Sequence, residues 1–467
     1  MSTASVNGHQ TDGRVAVDVA ENPLHLLSDE QIEELGRELD ELHEQVKASL
    51  GERDATYIRS VIAMQRRLAL LGRFALIFSR WRIPWALGAG SLGLAKILEN
   101  MEIGHNVLHG QWDWMNDPVI NSRAWDWDTA STAEAWRHSH NYIHHTYTNI
   151  LGKDRDLGYE IMRIDPQQPW NPVYVFQPFY NVLLMLLFEW GVAFHDLDFP
   201  AIRAGEKDLK QVRKELKGIA GKARTQIVKD YVAWPAISGA VMTGLELAAL
   251  GLRGARGGRR RSLSTRLKRK VAKQVLMHSP AARRAVIRSP MTRRVLKRLV
   301  ARRSFREPFR RALIADATAN VIRNVWAYAI ILCGHFPDQT FTFNEEETAD
   351  ETHGGWYVRQ LSGAANIDGG PLFHVMSGNL GYQVEHHLFP DMPSTRYGEI
   401  APRVRELCHR YGLPYNTGPF SQQLGMVQRT ILRLALPGGK PRPKPGAYDG
   451  PLVRGSGERA DAVPAMK

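Results

Sequence analysis

The chain has 467 residues with only two cysteines, Cys333 and Cys408, far apart and outside any C-x-x-C pattern. That excludes a disulfide framework and a cysteine-ligated iron–sulfur or rubredoxin-like module. The net charge of +13 comes from one place: residues 253–311 hold 22 Lys and Arg against a single acid, Glu307, and the rest of the chain is net acidic. Mean hydropathy is −0.32, low for a polytopic membrane protein, so any membrane reading must rest on particular stretches.

In chain order, residues 1–27 show no periodicity and read as disordered. No basic segment followed by an apolar core opens the chain, so no secretory signal is expected and the N-terminus is placed in the cytosol. Ser28 and Gln31 form a capping-box pattern, and Ile32, Leu35, Leu39, Leu42 and Val46 recur at helical spacing. Residues 28–65 are therefore an amphipathic helical segment docked on the body or a partner, with His43 solvated on its acidic side. Residues 68–99 hold two apolar runs split by Arg80, Trp81, Arg82 and Pro84, each short against the ~20 residues that span a ~30 Å hydrocarbon core. A tilted hairpin accommodates them, with Arg73 and Lys96 snorkelling toward the headgroups.

Histidine then dominates. HNVLH (His105–His109), HNYIHH (His140–His145) and QVEHH (Gln383–His387) contain seven of the seventeen histidines. Imidazole is the commonest neutral metal ligand, and residues four apart share a helix face, so His105 with His109, and His140 with His144, each form a two-pronged site. Adjacent histidines diverge by about 100°; His144/His145 and His386/His387 can each serve two neighbouring metals, which gives a dinuclear centre. Between the first two clusters lie Trp112, Trp114, Trp125, Trp127 and Trp136, read equally as a membrane-interface belt or as core packing. Asp113, Asp126, Asp128 and Glu134 interleave with them as candidates to hold a metal-bound imidazole. His138 lies about 200° around the helix from His140, facing away.

Three further apolar stretches, 173–195, 231–252 and 312–337, follow. No span separates the first two clusters, and all three must share a side, so an even number of these stretches crosses. The basic insert, 253–311, repeats Ser279-Pro280 at Ser289-Pro290 and reads as a solvated, partly helical low-complexity insertion able to meet anionic lipid. It lacks interleaved aromatics, which disfavours nucleic acid. His353 in HGGW departs from the HPGG haem motif, and His374 is read as structural. Residues 399–434 are helical with a break at Gly412 and Pro414, and 437–467 is a disordered tail.

HNVLH, HNYIHH and QVEHHLFP resemble the three histidine boxes of membrane fatty acid desaturases, and NMEIGHNVLHGQWDWMNDP, CGHFPD and SGNLGYQVEHHLFPDMP are similar to the actinobacterial acyl-CoA desaturases. The resemblance covers roughly residues 50–420. It implies an all-α integral membrane protein with two transmembrane hairpins (about four spans) and a cytosolic helical cap carrying a di-iron site. The desaturase body is then 66–252 and 312–436, with 173–195 on the membrane surface and the cytosolic face of the cytoplasmic membrane bearing the active site. It implies oxygen-dependent desaturation of a long-chain acyl group, with acyl-CoA favoured, at two iron ions. The ligands are His105, His109, His140, His144, His145, His386 and His387, with His335 added from the stearoyl-CoA desaturases. Gln383, Glu385, Asp154 and His138 complete the set as further ligands or as residues that hold one, and Asp156, two residues on from Asp154, reads with it as such a partner or as a polar turn. No haem, ferredoxin or dinucleotide motif is present in the sequence, so an external ferredoxin and flavin-containing reductase are implied. The basic insert could dock the former only if it lies on the cytosolic side, whereas the family topology, with 231–252 and 312–337 as the second hairpin, places it on the other. The boxes alone leave open a hydroxylase or alkane monooxygenase. A non-enzymatic lipid-binding membrane protein is the alternative of another class. A zinc hydrolase needs only three protein ligands and is disfavoured.

Overall fold

The computed structural model describes residues 22–255 and 290–439. Of the stretches expected to be disordered, 1–27 and 437–467, residues 1–21 and those beyond 439 lie outside the described residues, as do the Ser-Pro repeats of the insert up to residue 289, while Pro23–His25 forms a helical turn. The chain is helical: α1 (Asp29–Ala48), α2 (Glu52–Ile77), α3 (Arg82–Leu98), α4 (Gln177–Leu186), α5 (Phe188–His195), α6 (Leu209–Gln226), α7 (Trp234–Ala255), α8 (Pro290–His335), α9 (His353–Gly363), α10 (Gln383–Leu388), α11 (Tyr397–Arg410) and α12 (Phe420–Leu434). The described sheet is one parallel pair, β1 (Asn366–Asp368) and β2 (Thr417–Pro419). Two compact units partition the chain: residues 1–66, 94–223 and 321–467 form one, and 67–93 with 224–320 the other.

In the first unit α1 begins as the sequence dictates. Ser28 Oγ accepts from Gln31 N and the Gln31 side chain accepts from Ser28 N, closing the capping box. Leu35 and Leu39 are fully buried in a cluster with Val358, Leu361, Val384, Leu388 and Phe389. The helix meets α9 at a crossing where a Cβ on Gly354 would come within 2.3 Å of Ile32 O, and one on Gly36 within 3.1 Å of Gly354 Cα. Gly36 and Gly354, the first glycine of HGGW, therefore sit at a backbone-to-backbone approach. Gly354→Ala should shift the thermal unfolding of α1 by an overpacking cost of about 1–3 kcal/mol and open its linker to protease, whereas Gly51→Ala, whose Cβ meets nothing, should not. His43 is not solvated as expected. It bonds Asp391 Oδ1 at 3.0 Å and stacks on Phe389 at 4.9 Å, because α1 lies over the turn after the third box.

In the second unit, the hairpin formed by the ends of α2 and α3 closes on glycine. A Cβ on Gly72 would meet Leu92 at 2.7 Å and one on Gly88 would meet Leu76 at 2.5 Å. Arg73 does not snorkel. Its side chain is 10% exposed and its guanidinium bonds Asp230 (2.6 Å) and Asp316, both fully buried. An ionised pair this deep keeps the charge only because it is compensated. Lys96, in the first unit, is likewise buried and faces Asp128 at 3.5 Å rather than reaching outward.

Among the described residues one helix, Leu209–Ala249, is long and apolar enough to cross a membrane by length and composition. The expected four spans are not reproduced on that measure, for reasons visible in the sequence: Arg66, Arg67 and Arg73 interrupt α2, α3 has 17 residues, and Asp316 and Arg323 interrupt α8. The stretch 173–195 is broken at Leu187 into helices of 10 and 8 residues, each at most about 15 Å long and unable to cross. The described part of the insert, from Pro290, is helical and continuous with the stretch to His335.

Candidate metal centre

The boxes do not lie on plain α-helix. Glu99–His105 and Arg137–His144 are π-helical, a wider turn that recurs at functional sites. Gly104 permits the first: a Cβ there would meet Glu99 O at 2.7 Å and Trp127 at 3.0 Å. Trp136 stacks on the His140 ring at 4.6 Å and packs edge-on to His105 and His109, so the described Trp-rich stretch serves as the wall of the histidine cluster.

Two histidine sets result. The ligating nitrogens of His105, His109, His140 and His386 lie within 4.8 Å of one another, and those of His144, His335 and His387 do likewise. His140 and His144 thus fall in different sets while their rings stack at 5.0 Å, and both also approach Asp156. His145 stands between the sets, its ring 4.8 Å from His109, 5.0 Å from His386 and 4.6 Å from His387.

The hydrogen bonds choose which nitrogen faces the centre. Nδ1 of His105 bonds Asn106 Oδ1 (3.1 Å), that of His140 Asp156 (3.2 Å), that of His144 Asp154 (3.0 Å), that of His386 the Tyr397 hydroxyl (3.2 Å) and that of His387 Gln360 Oε1 (2.9 Å). Tyr397 donates its own proton to Phe389 O, so it accepts from His386. The Nε2 atoms of His109, His140, His144, His386 and His387, both nitrogens of His145 and Nδ1 of His335 are buried without a hydrogen-bond partner. Buried polar atoms are ordinarily satisfied. So many orphaned imidazole nitrogens converging in one place fit metal ions, with the acceptors behind them fixing tautomer and orientation. Burial, reinforced by their mutual proximity, holds His109, His145, His386 and His387 well below the usual imidazole range, which keeps them in the neutral, ligating form. Burial also opposes protonation of His144, but Asp154 and Asp156 outweigh it and raise that ring.

The remaining candidates divide. Asp154 holds His144 and accepts from the backbone N–H of Asn149 (2.7 Å) and Asp156 (2.9 Å). Gln383 lies flat on Gly334, with Nε2 3.2 Å from His335 Nε2 and a buried, unpartnered Oε1. Glu385 touches no imidazole. It bonds Asn366 and Tyr415, tying α10 to β1, and burial pushes its carboxyl up to about 7 against those two hydrogen bonds. His138 is excluded from the centre: it is exposed and stacks on Tyr142, as its place around the helix dictates. The acids of the Trp-rich stretch also stand elsewhere, with Asp113 on Ser122, Asp126 on Lys222, Asp128 facing Lys96 and Glu134 on Lys214. His374 bonds Gly369 O and stacks on Tyr382, a packing role.

Asp156, offered by the sequence beside Asp154 as a partner of an imidazole or a polar turn, accepts from His140. Sequence reasoning missed His195, Gln360, Arg359 and Tyr397, single residues brought in by tertiary contact. Beside His105 and His140 opens a cavity of about 50 Å³, lined by Trp127, Tyr159, Phe188, Val192, His195 and Ile331 among others.

A helical chain presenting three histidine boxes as two imidazole sets defines a protein whose buried histidines could hold metal ions. The chain belongs to the fatty acid desaturase family, whose model matches residues 80–255 and 273–419. It is 42% identical over 411 residues, 88% of this chain and 82% of the relative, to the NADPH-dependent stearoyl-CoA 9-desaturase of Mycobacterium tuberculosis. It is 22% identical over 340 residues, 71% of this chain and 75% of the relative, to the sn-1 linoleoyl-lipid 6-desaturase of Synechocystis sp.. No solved structure matches the chain.

Proposed function

We propose that this protein is a fatty acyl-CoA desaturase that introduces a double bond at carbon 9 of a saturated long-chain acyl group, taking stearoyl-CoA as substrate. The observation that carries this reading is the convergence of eight histidines, seven with an orphaned buried nitrogen, in a chain 42% identical over most of its length to a stearoyl-CoA 9-desaturase. His105, His109, His140 and His386 would hold one iron, His144, His335 and His387 the other, with His145 between them. Bound iron supplies the reduction of dioxygen and the oxidising power to take hydrogen from an unactivated alkyl chain. The protein supplies the rest. Asp154, Asp156, Tyr397 and Gln360 keep the Nδ1 proton on their histidines and turn Nε2 inward. Gln383 is read as holding His335 at Nε2: with its amide turned so that the oxygen accepts the Nε2 proton, His335 Nδ1 is left as donor atom. Trp127, Trp136 and Phe188 shield the neighbouring cavity from water.

The membrane reading has its own support. Leu70, Leu71, Phe74, Ile83 and Leu87 are exposed on the α2–α3 hairpin of one unit, and Phe176, Phe179, Val182 and Leu187 around α4 of the other, each an apolar surface of the kind that lipid covers. The reading adds to this two transmembrane hairpins, a multi-pass place in the cytoplasmic membrane and a cytosol-facing site, with electrons from NADPH through an external carrier and its reductase.

The test is fatty acid analysis in a host supplied with stearate and with redox partners. The expected product is an 18-carbon monoene with its double bond between carbons 9 and 10. A hydroxylated chain would move the protein to the hydroxylases, and an iron-loaded protein that yields neither product would sink the reading.

A further inference from the structure

Asp154 and Asp156 treat their histidines differently. Asp154 turns its carboxylate on His144, with Oδ1 at 3.0 Å and Oδ2 at 3.1 Å from Nδ1. Asp156 divides its oxygens: Oδ2 lies 3.2 Å from His140 Nδ1, and Oδ1 lies 3.0 Å from Nε2 of His195, the last residue of α5. His195 is buried, edge-on to Tyr159 at 5.4 Å, with Nδ1 3.6 Å from Glu160 Oε2. Arg155 closes the group, bonding Glu160 Oε1 at 3.0 Å and the His195 carbonyl at 2.5 Å. The turn that presents these residues is strained, with positive φ at Gly158 (63°), Tyr159 (52°) and Glu160 (59°). Left-handed backbone at a non-glycine residue costs about 1–3 kcal/mol and persists where surrounding contacts over-determine it.

That arrangement needs a second hand on Asp156. Its Oδ2 is also 3.7 Å from His144 Nδ1, a nitrogen that Asp154 already satisfies. A carboxylate released from His195 can swing toward His144 and leave His140 without its acceptor. The sequence between box two and His195 contains no second imidazole that could replace it.

We propose that His195 is a positioning residue for the four-histidine set: by holding Asp156 Oδ1 it aims Oδ2 at His140 Nδ1 and so fixes His140 Nε2 as the atom offered to iron. The proposal rests on the di-iron reading above. It assigns His195 to one metal position and not the other, since His144, His335 and His387 make no contact with it among the described residues.

Iron content and Mössbauer spectra of protein grown on isotopically enriched iron test this without reference to turnover. After a chelator challenge, His195→Ala should retain about one iron per chain where the wild type retains two, with about a 10–100-fold loss of affinity at the depleted position and one of the two spectral components weakened. His195→Gln, whose amide N–H can reach Asp156, should restore both. Should alanine not fold, His195→Phe refills the ring volume without a nitrogen and carries the same expectation. Two irons with wild-type spectra in His195→Ala or His195→Phe would overturn the proposal, and so would equal loss from both positions. A wild type that binds no iron would instead remove the di-iron reading and the proposal with it.

Discussion

His386→Ala should yield protein that makes no detectable monoene and loses iron from the four-histidine set. His386 is fully buried, and its ring packs 5.0 Å from His105 and 4.7 Å from His109, so no solvent-exposed group can take its place. Its Nδ1 proton is committed to Tyr397, which leaves Nε2 as the single atom it can offer a metal. Alanine removes that atom and leaves three histidines in the set. Tyr397→Phe provides the graded comparison. It keeps the ligand but removes the acceptor behind it, a change that costs about 10–100-fold in metal affinity. The expected order of product yield is wild type, then Tyr397→Phe, then nothing from His386→Ala, with circular dichroism unchanged across the three. Wild-type monoene from His386→Ala would take His386 out of the metal site.

What the sequence made legible follows from which properties are local. The boxes, the capping box at Ser28 and the break at Gly412, where φ is +67°, are all set by neighbours within a few residues. The pairing of the boxes was only half legible. An α-helical period puts His140 and His144 on one face, but the π-helical turn over Arg137–His144 lets them belong to different sets. Arg73 and Lys96 were misread because snorkelling treats a charge as alone in lipid, whereas Asp230, Asp316 and Asp128 arrive from distant parts of the chain. Two groups of acids were candidates to stand behind the imidazoles; those of the Trp-rich stretch lie elsewhere, and those after box two do so, where Asp154 can reach the Asn149 and Asp156 amides and a ligand ring together. Glycine in HGGW carried a meaning that no local pattern shows, the approach of α1.

Helix α9 illustrates the same limit and supplies the largest expected loss of stability. It carries no box, yet it holds two of them. Gln360 accepts from His387 Nδ1 and donates to the His145 carbonyl at 3.2 Å, while Trp356 Nε1 donates to that same carbonyl at 3.3 Å. Arg359, 1% exposed, bonds both oxygens of Glu351 (2.6 and 2.7 Å) and the carbonyls of Thr146 and Thr148 (2.9 Å each). Its planar fork therefore ties the residues just after His144 and His145 to α9. Arg359→Met preserves much of the volume but leaves a largely buried carboxylate and two carbonyls without donors. Breaking one partner of a buried pair costs about 3–5 kcal/mol. Arg359→Lys should recover only part of it, since an ammonium cannot reproduce the bidentate contact and reach both carbonyls. Thermal unfolding in detergent should rank wild type above Arg359→Lys above Arg359→Met. Iron occupancy should fall in parallel, because Thr146 and Thr148 are anchored on the helix turn that aims His144 and His145 into both histidine sets. Unchanged unfolding in Arg359→Met would mean that box two holds its place through Asn149 and the Asp154 turn alone.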